Sequence, residues 1–166
     1  MKAITIRQPW ASLLACGAKQ YETRSWATKY RGAIAIQAGK IRLSLNKFVY
    51  DVGVDFTTRA ELALDEHGIF PGENHYDGLP YGAVIATAEL VGCHKIVRYG
   101  GRGCASTDPG WLVSEDGQIY EPTEQEILFG DWTPGRYAWE LANVQMLPEP
   151  VLVRGQQGLW NWGSLA

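Results

Sequence analysis

The sequence predicts an α+β fold in which short helices flank a curved sheet or small β-barrel. Three observations lead to this class. Several segments alternate apolar and polar residues as strands do, the helical segments span only one to three turns, and no regular βαβ alternation is present. The chain has 166 residues, of which 46% are hydrophobic and 20% charged, as is typical of one globular domain. We therefore expect a single domain over residues 1–166.

A short helix is predicted near the N-terminus. Pro9 favours a helix start because its fixed φ suits the first turn, and Gly17 is typical of the residue just past a helix end. Between them, apolar residues recur at i, i+3 and i+4, which gives the helix one buried face. These residues are Trp10, Leu13 and Leu14.

Strands are predicted at several places along the chain. Residues 21–26 alternate polar and aromatic side chains, and residues 31–38 follow after a turn, so we expect these two strands to pair. The strongest strand patterns are residues 82–91 and 136–147. The tail, residues 150–162, is predicted to form a strand followed by an aromatic turn.

Further helices are predicted in the middle of the chain. Residues 45–52 place four apolar side chains on one helical face. Thr58 and Glu61 have the spacing of a capping box, which predicts a helix that ends at Gly68. A second capping box, at residues 123–126, predicts one more helix.

Charge is distributed unevenly along the chain. The net charge of −3 argues against a protein that coats nucleic acid through bulk electrostatics. Residues 1–50, however, contain nine Lys or Arg and one acid, whereas the remaining 116 contain six Lys or Arg and seventeen acids. A basic side of the molecule could hold an anion such as phosphate, or the two halves could neutralise each other across the fold.

The sequence carries no signal for a membrane, a disulfide framework or a metal. No segment approaches the twenty or so apolar residues that a bilayer requires. The cysteines are three, widely separated and without CxxC spacing, and the histidines show no ligand-like spacing. We therefore expect a cytoplasmic protein with no membrane association, no metal and no cofactor.

The segment GAKQYETRSW, residues 17–26, contains the candidate site. In a strand, Glu22, Arg24 and Trp26 project to one face, with alternate residues about 6.6 Å apart. Lys19 can join them if the preceding residues form the turn that the helix end predicts. An acid, two cations and an aromatic ring would then share one face.

Such a face suits a flat, polar ligand that carries phosphate. The ring can stack, the carboxylate can accept from an exocyclic N–H, and the cations can contact phosphate, so a nucleotide fits. Catalysis is an alternative, because a desolvated lysine can lose its proton and a neighbouring carboxylate can transfer protons. A third interpretation is a surface ladder of ion pairs in which Trp26 belongs to the core.

The run QPWASLLACGAKQYETRSW resembles the ASCH domain (activating signal cointegrator homology), whose signature is GxKxxExR. Every fixed position of that signature is present. The residues that carry the resemblance are Gln8, Pro9, Trp10, Gly17, Lys19, Glu22 and Arg24. The similarity continues through YRGAIAIQAGK, PYGAVIATAELVGC, PGRYAWEL and PVLVRGQQGLW, and so covers most of the chain apart from loops near residues 50–80 and 99–125.

The resemblance implies a PUA-like β-barrel with a cleft, related to domains that read RNA or modified bases, and a role in binding RNA or a nucleotide. It implies that Lys19, Glu22 and Arg24 line the cleft. The residues that would shape its wall are Gln8, Trp10 and Trp26. One branch of the family removes the acyl group from 4-acetylcytidine with a lysine and a threonine three residues later. This chain has Glu22 at that second position, and Thr23 lies one residue further on.

Three functions follow from these observations. The first is binding of RNA or a modified nucleotide in a cleft formed by Lys19, Glu22 and Arg24. The second is hydrolysis of an acylated nucleoside or of RNA in the same cleft, with Glu22 as general acid/base, Lys19 activating and Arg24 orienting the substrate. The third is an interaction module whose basic face binds an acidic protein partner.

Overall fold

The structure is a computed structural model that describes residues 1–42, 53–70, 72–73, 76–98 and 109–163. The described strands are β1 (Lys2–Ile6), β2 (Tyr21–Arg24), β3 (Gly32–Ala38), β4 (Ala83–Val97), β5 (Trp111–Val113), β6 (Ile119–Tyr120), β7 (Tyr137–Leu152) and β8 (Leu159–Asn161). The described helices are α1 (Trp10–Ala15), α2 (Val54–Glu66) and α3 (Glu124–Phe129). Strands therefore dominate the fold, in agreement with the predicted α+β class.

The strands form one open sheet. Hydrogen bonds join them in the order β2-β7-β4-β3-β1-β8, while β5 pairs with β4 and β6 with β5. Within the part of the chain that the structure describes, β2 and β8 end this order and do not pair with each other, so the sheet is not closed into a barrel. The predicted barrel is wrong in this respect, because closure requires the two end strands to hydrogen-bond to each other.

The strand that carries the candidate site does not pair as predicted. Residues 21–26 were expected to pair with residues 31–38, but β2 runs antiparallel to β7, and β3 runs parallel to β1. Both sides of β3 are already occupied, by β1 and by β4. The prediction failed because it assumed that strands close in sequence are neighbours, which holds for many strands but not for all.

Two of the three described helices begin where the sequence predicts them. Helix α1 lies between Pro9 and Gly17 as predicted, and Gly17 has a φ of +82°, which a glycine adopts without strain. Helix α3 begins after Thr123 as its capping box predicts. Helix α2 begins at Val54, with Gly53 as its N-cap, so the capping box predicted at Thr58 lies inside the helix. The helix predicted over residues 45–52 lies outside the described residues.

The chain divides into two compact units. Unit 1 comprises Met1–Ala18, Ala33–Ala88 and Asn143–Ala166, and unit 2 comprises Lys19–Gly32 and Glu89–Ala142. A buried cluster in unit 1 is Ala3, Ala35, Val84 and Trp160. A buried cluster in unit 2 is Ile96, Leu112, Trp132 and Ala138. The single domain expected from composition stays a prediction.

None of the helices in residues 1–42, 53–70, 72–73, 76–98 and 109–163 is long and apolar enough to cross a bilayer.

Candidate functional site

Strand β2 of unit 2 presents an acid and a base on one face. Glu22 and Arg24 are two residues apart, and Oε1 of Glu22 lies 3.0 Å from Nε of Arg24. Trp139 lies directly opposite Glu22 on β7, so its ring projects to the same face. On the opposite face of β2, the half-buried Tyr21 ring packs edge-to-face on Trp132 at 5.9 Å. The predicted alternation along residues 21–24 is therefore confirmed.

Trp26 extends this face beyond the end of β2. Its ring packs edge-to-face on Trp139 with 4.5 Å between ring centroids. The indole Nε1 of Trp139 also donates a hydrogen bond to the carbonyl oxygen of Trp26 at 3.2 Å. Trp139 is fully buried, whereas 36% of Trp26 is exposed. An anchored tryptophan thus keeps part of its surface open to solvent.

Lys19 lies just before β2 and is almost completely buried, with 1% of its side chain exposed. Its Nζ lies 3.5 Å from Oε2 of Glu126, too far for a strong hydrogen bond. Among the described residues, Nζ has no hydrogen-bond partner. An ammonium carries three donors, so a ligand could find an unused donor at this position.

Glu126, which the sequence did not predict as a site residue, holds this region in place. The hydroxyl of Thr123 accepts from the backbone N–H of Glu126 at 3.2 Å and so caps α3. Oε1 of Glu126 accepts from the backbone N–H of Gln20 at 2.5 Å. One carboxylate therefore fixes the backbone next to Lys19 and pairs with the lysine itself.

Burial favours the neutral form of Lys19, and the neighbouring carboxylates oppose this effect. Burial lowers the pKa of Lys19 below its ordinary value, while the carboxylates of Glu126 and Glu22 act in the opposite direction. Desolvation is the largest of these causes. The amine is therefore closer to losing its proton than a surface lysine is.

Gly130, directly after α3, packs closely against the lysine. A Cβ added there would lie 3.3 Å from Nζ of Lys19 and 2.7 Å from Nε1 of Trp132. The same Nε1 donates to the backbone carbonyl of Glu126, so Trp132 fixes the end of the helix. The backbone of Gly130 is extended, with φ at −142°, a conformation that any residue can adopt. Glycine therefore suits this position because it has no side chain, not because of its conformational freedom.

Gln8 and Trp10 belong to unit 1, and their contacts are structural. The Gln8 amide is fully buried and donates from Nε2 to the Ser12 hydroxyl and to the Pro80 carbonyl, each at 2.8 Å. The Trp10 ring packs on Phe56 at 5.2 Å between ring centroids. A ligand role for these two residues stays a prediction.

No metal centre is evident in the described parts of the chain. Three or more His, Cys, Asp or Glu side chains do not converge anywhere in residues 1–42, 53–70, 72–73, 76–98 or 109–163.

The GxKxxExR signature lies within a longer region that is similar to a known family. A sequence model of the ASCH domain matches residues 4–150. The chain belongs to the ASCH domain family. No curated protein matches it. The matched range includes both the signature and Glu126, and membership of the family suggests a function of the RNA-binding type for this ASCH domain.

Proposed function

We propose that this ASCH domain binds RNA or a modified nucleotide on the face formed by Glu22, Arg24 and Trp26, with Lys19 at its base. The observation that carries the proposal is the half-open arrangement of this face. Glu22 is 12% exposed and Arg24 is 26% exposed, next to a tryptophan of which about a third is open. A base can stack on the indole while the guanidinium contacts phosphate.

Lys19 and Glu22 would supply selectivity in this proposal. Glu22 can accept from an exocyclic N–H of a base, and Lys19 can donate to a carbonyl or phosphate oxygen that approaches its Nζ. A buried donor that lacks a hydrogen bond penalises ligands that cannot supply an acceptor, so it discriminates between ligands by their chemistry. Both residues are therefore expected to determine which nucleotide binds.

The experiment is incubation of the purified protein with a panel of modified nucleosides and a structured RNA, followed by mass spectrometry of retained ligand and of products. Retention of one nucleoside or of the RNA without turnover is the expected result. If nothing is retained and nothing is converted, the proposal is wrong. Binding that depends strongly on salt but shows no nucleotide preference would point to an acidic protein partner instead.

A hydrolase is the second candidate, and the buried Lys19 favours it. A neutral lysine amine is a base and a nucleophile, and burial has already lowered its pKa. Glu22 and Glu126 both act on its charge, and Glu126 supplies a second acid that sequence reasoning did not identify. The candidate substrates are an acylated nucleoside, whose amide bond would be cleaved, and the phosphodiester of RNA.

Substitution at Glu22 separates the two candidates. Glu22→Gln keeps the shape and hydrogen bonding of the side chain but removes proton transfer, so it should spare binding and abolish turnover if the domain is a hydrolase. Lys19→Ala should weaken either activity. Turnover that survives Glu22→Gln would exclude Glu22 as the general acid/base.

A further inference from the structure

Unit 1 contains a cleft that shares no residue with the Lys19 site. Its volume is about 880 Å³, within the range of small-molecule sites. Its walls are formed by the C-terminal ends of β3 and β7 with the residues that follow them, by the residues before β4, and by one residue of β1. The residues used below are Thr5, Gln37, Lys40, Tyr81, Arg154 and Gly155.

Backbone hydrogen bonds fix these walls before any ligand arrives. The N–H of Gly82 donates to Ala38 at 2.9 Å, and the N–H of Val153 donates to the carbonyl of Gly82 at 3.0 Å. On the other side, the N–H of Gly39 donates to Ile6 at 2.7 Å. A preformed cleft binds more tightly than one that must first be ordered.

The cleft is positively charged. Lys40 and Arg154 line it and are exposed, and no carboxylate is among the described residues that form its lining. The guanidinium of Arg42 lies 5.0 Å from the centroid of the Tyr81 ring, which adds a third cation at the same wall. Three cations without a lining acid favour an anionic ligand.

A buried acceptor without a donor gives the cleft a second kind of specificity. Gln37 is 1% exposed, and its Oε1 makes no hydrogen bond with any described residue. Its Nε2 makes one long hydrogen bond, 3.4 Å, to the carbonyl of Val153. A buried polar atom without a partner requires an explanation, and an N–H group of a ligand would supply one.

Gly155 packs directly against this buried acceptor. A Cβ at position 155 would collide with Oε1 of Gln37 and would lie 2.6 Å from Oγ1 of Thr5. A residue with a side chain would therefore displace both polar groups. The glycine keeps them at the floor of the cleft.

We propose that this cleft binds a nucleotide, with Lys40 and Arg154 on the phosphate and Gln37 accepting from an N–H of the base. A free mononucleotide and one nucleotide of an RNA strand share this chemistry. The inference goes beyond the proposed function, because it concerns different residues and holds whether or not the Lys19 site binds RNA.

The test compares full-length wild type with Lys40→Gln and Arg154→Gln, using nucleoside monophosphates and a short labelled single-stranded RNA as probes. Arg59→Gln is the matched control, since Arg59 is an exposed cation of unit 1 on α2 that does not line the cleft. We expect each cleft variant to weaken binding about fivefold or more and to lower the salt slope by about one, with Arg59→Gln close to wild type. Monophosphate binding would identify a free-nucleotide site, and RNA binding alone would identify a strand site.

Two results would overturn the inference. One is that both cleft variants bind both probes as wild type does, and the other is that Arg59→Gln loses as much affinity as they do. Arg24→Gln separates this inference from the proposed function. If Arg24→Gln loses RNA binding while the cleft variants bind both RNA and monophosphates as wild type does, the second site alone is rejected. The reverse pattern supports the second site and rejects the first.

Discussion

At the scale of single residues, Lys19 and Glu126 determine the chemistry of the candidate site. They are 1% and 8% exposed, so neither charge is well hydrated, and each depends on the other. Removal of one partner from a buried ion pair leaves an uncompensated charge, which costs more than the pair itself contributes. The pair is therefore the most sensitive point of the site.

Glu126→Gln should destabilise the protein strongly, whereas the double variant with Lys19→Met should recover part of the loss. Glutamine can still accept from Gln20, but it leaves the buried ammonium without its carboxylate, at a cost on the order of 3 kcal/mol. Denaturant unfolding of wild type, both single variants and the double variant measures the coupling. Strictly additive changes in the free energy of unfolding would show that the two charges do not interact.

The pH dependence of stability gives a second prediction at this scale. The folded-state pKa of Lys19 lies below 10.5, so between that pKa and 10.5 the unfolded state binds more protons, and stability rises with pH. The penalty for burying the charged amine is absent above 10.5, grows as pH falls from 10.5 to the folded pKa, and is complete below it. Wild type should therefore gain stability relative to Lys19→Met from neutral pH to about pH 10 in urea melts. Parallel curves for the two proteins would contradict the lowered pKa.

The sequence predicted one half of the site and missed the other half, for a physical reason. The shared face of Glu22 and Arg24 follows from strand alternation, which is a local property. Glu126 reaches Gln20 across 106 positions of the chain, and no local pattern records such a contact. The capping box marked Glu126 only as a helix residue.

At the scale of elements, the junction after α3 is tightly packed around Lys19. Gly130→Ala should destabilise the protein by about 1–3 kcal/mol and weaken ligand binding, because the added Cβ meets Trp132 and occupies the space beside the lysine. Gly39→Ala is a suitable control for stability, since its nearest contact would be 3.4 Å from the carbonyl of Ile6. Thermal unfolding of both variants and ligand titration of Gly130→Ala provide the measurement. Equal effects at the two glycines would argue against a specific role for position 130.

The sequence predicted helix positions correctly where residues at the helix ends determine them. Helix α1 lies between Pro9 and Gly17, and helix α3 follows its N-cap Thr123, so both helices lie where these residues predict them. Helix α2 begins earlier than its apparent capping box, because Gly53 and not Thr58 is the N-cap. Strand pairing was not predictable, since β2 finds its partner in β7, more than a hundred residues away.

At the scale of the whole molecule, the net charge of −3 limits how nucleic acid can bind. Binding through a few localised cations should give a shallow salt dependence, with a slope of log affinity against log salt between about −1 and −3 for single-stranded RNA. Titration at several salt concentrations measures this slope. A slope steeper than about −5 would indicate bulk electrostatics, and a slope near zero would exclude phosphate contacts.

Composition and patterning predicted the class of the fold but not its closure. Alternating segments and short helices were sufficient for a mostly-sheet α+β structure, which the strand order bears out. Whether the end strands meet depends on register and tilt over the whole sheet, and neither is encoded in one segment. The prediction of a closed barrel was therefore wrong, while the family resemblance was confirmed over residues 4–150.

The central claim is that RNA or a nucleotide contacts the face of Glu22, Arg24 and Trp26. The most direct measurement is the affinity of wild type, Arg24→Gln and Trp26→Ala for the ligand that the wild type retains, with the exposed Lys95→Gln as charge control in unit 2. Loss of base stacking is worth about 1–3 kcal/mol, so Trp26→Ala should bind about 5- to 150-fold more weakly, with Arg24→Gln also impaired and Lys95→Gln nearly unchanged. Wild-type affinity in both Arg24→Gln and Trp26→Ala would contradict the claim.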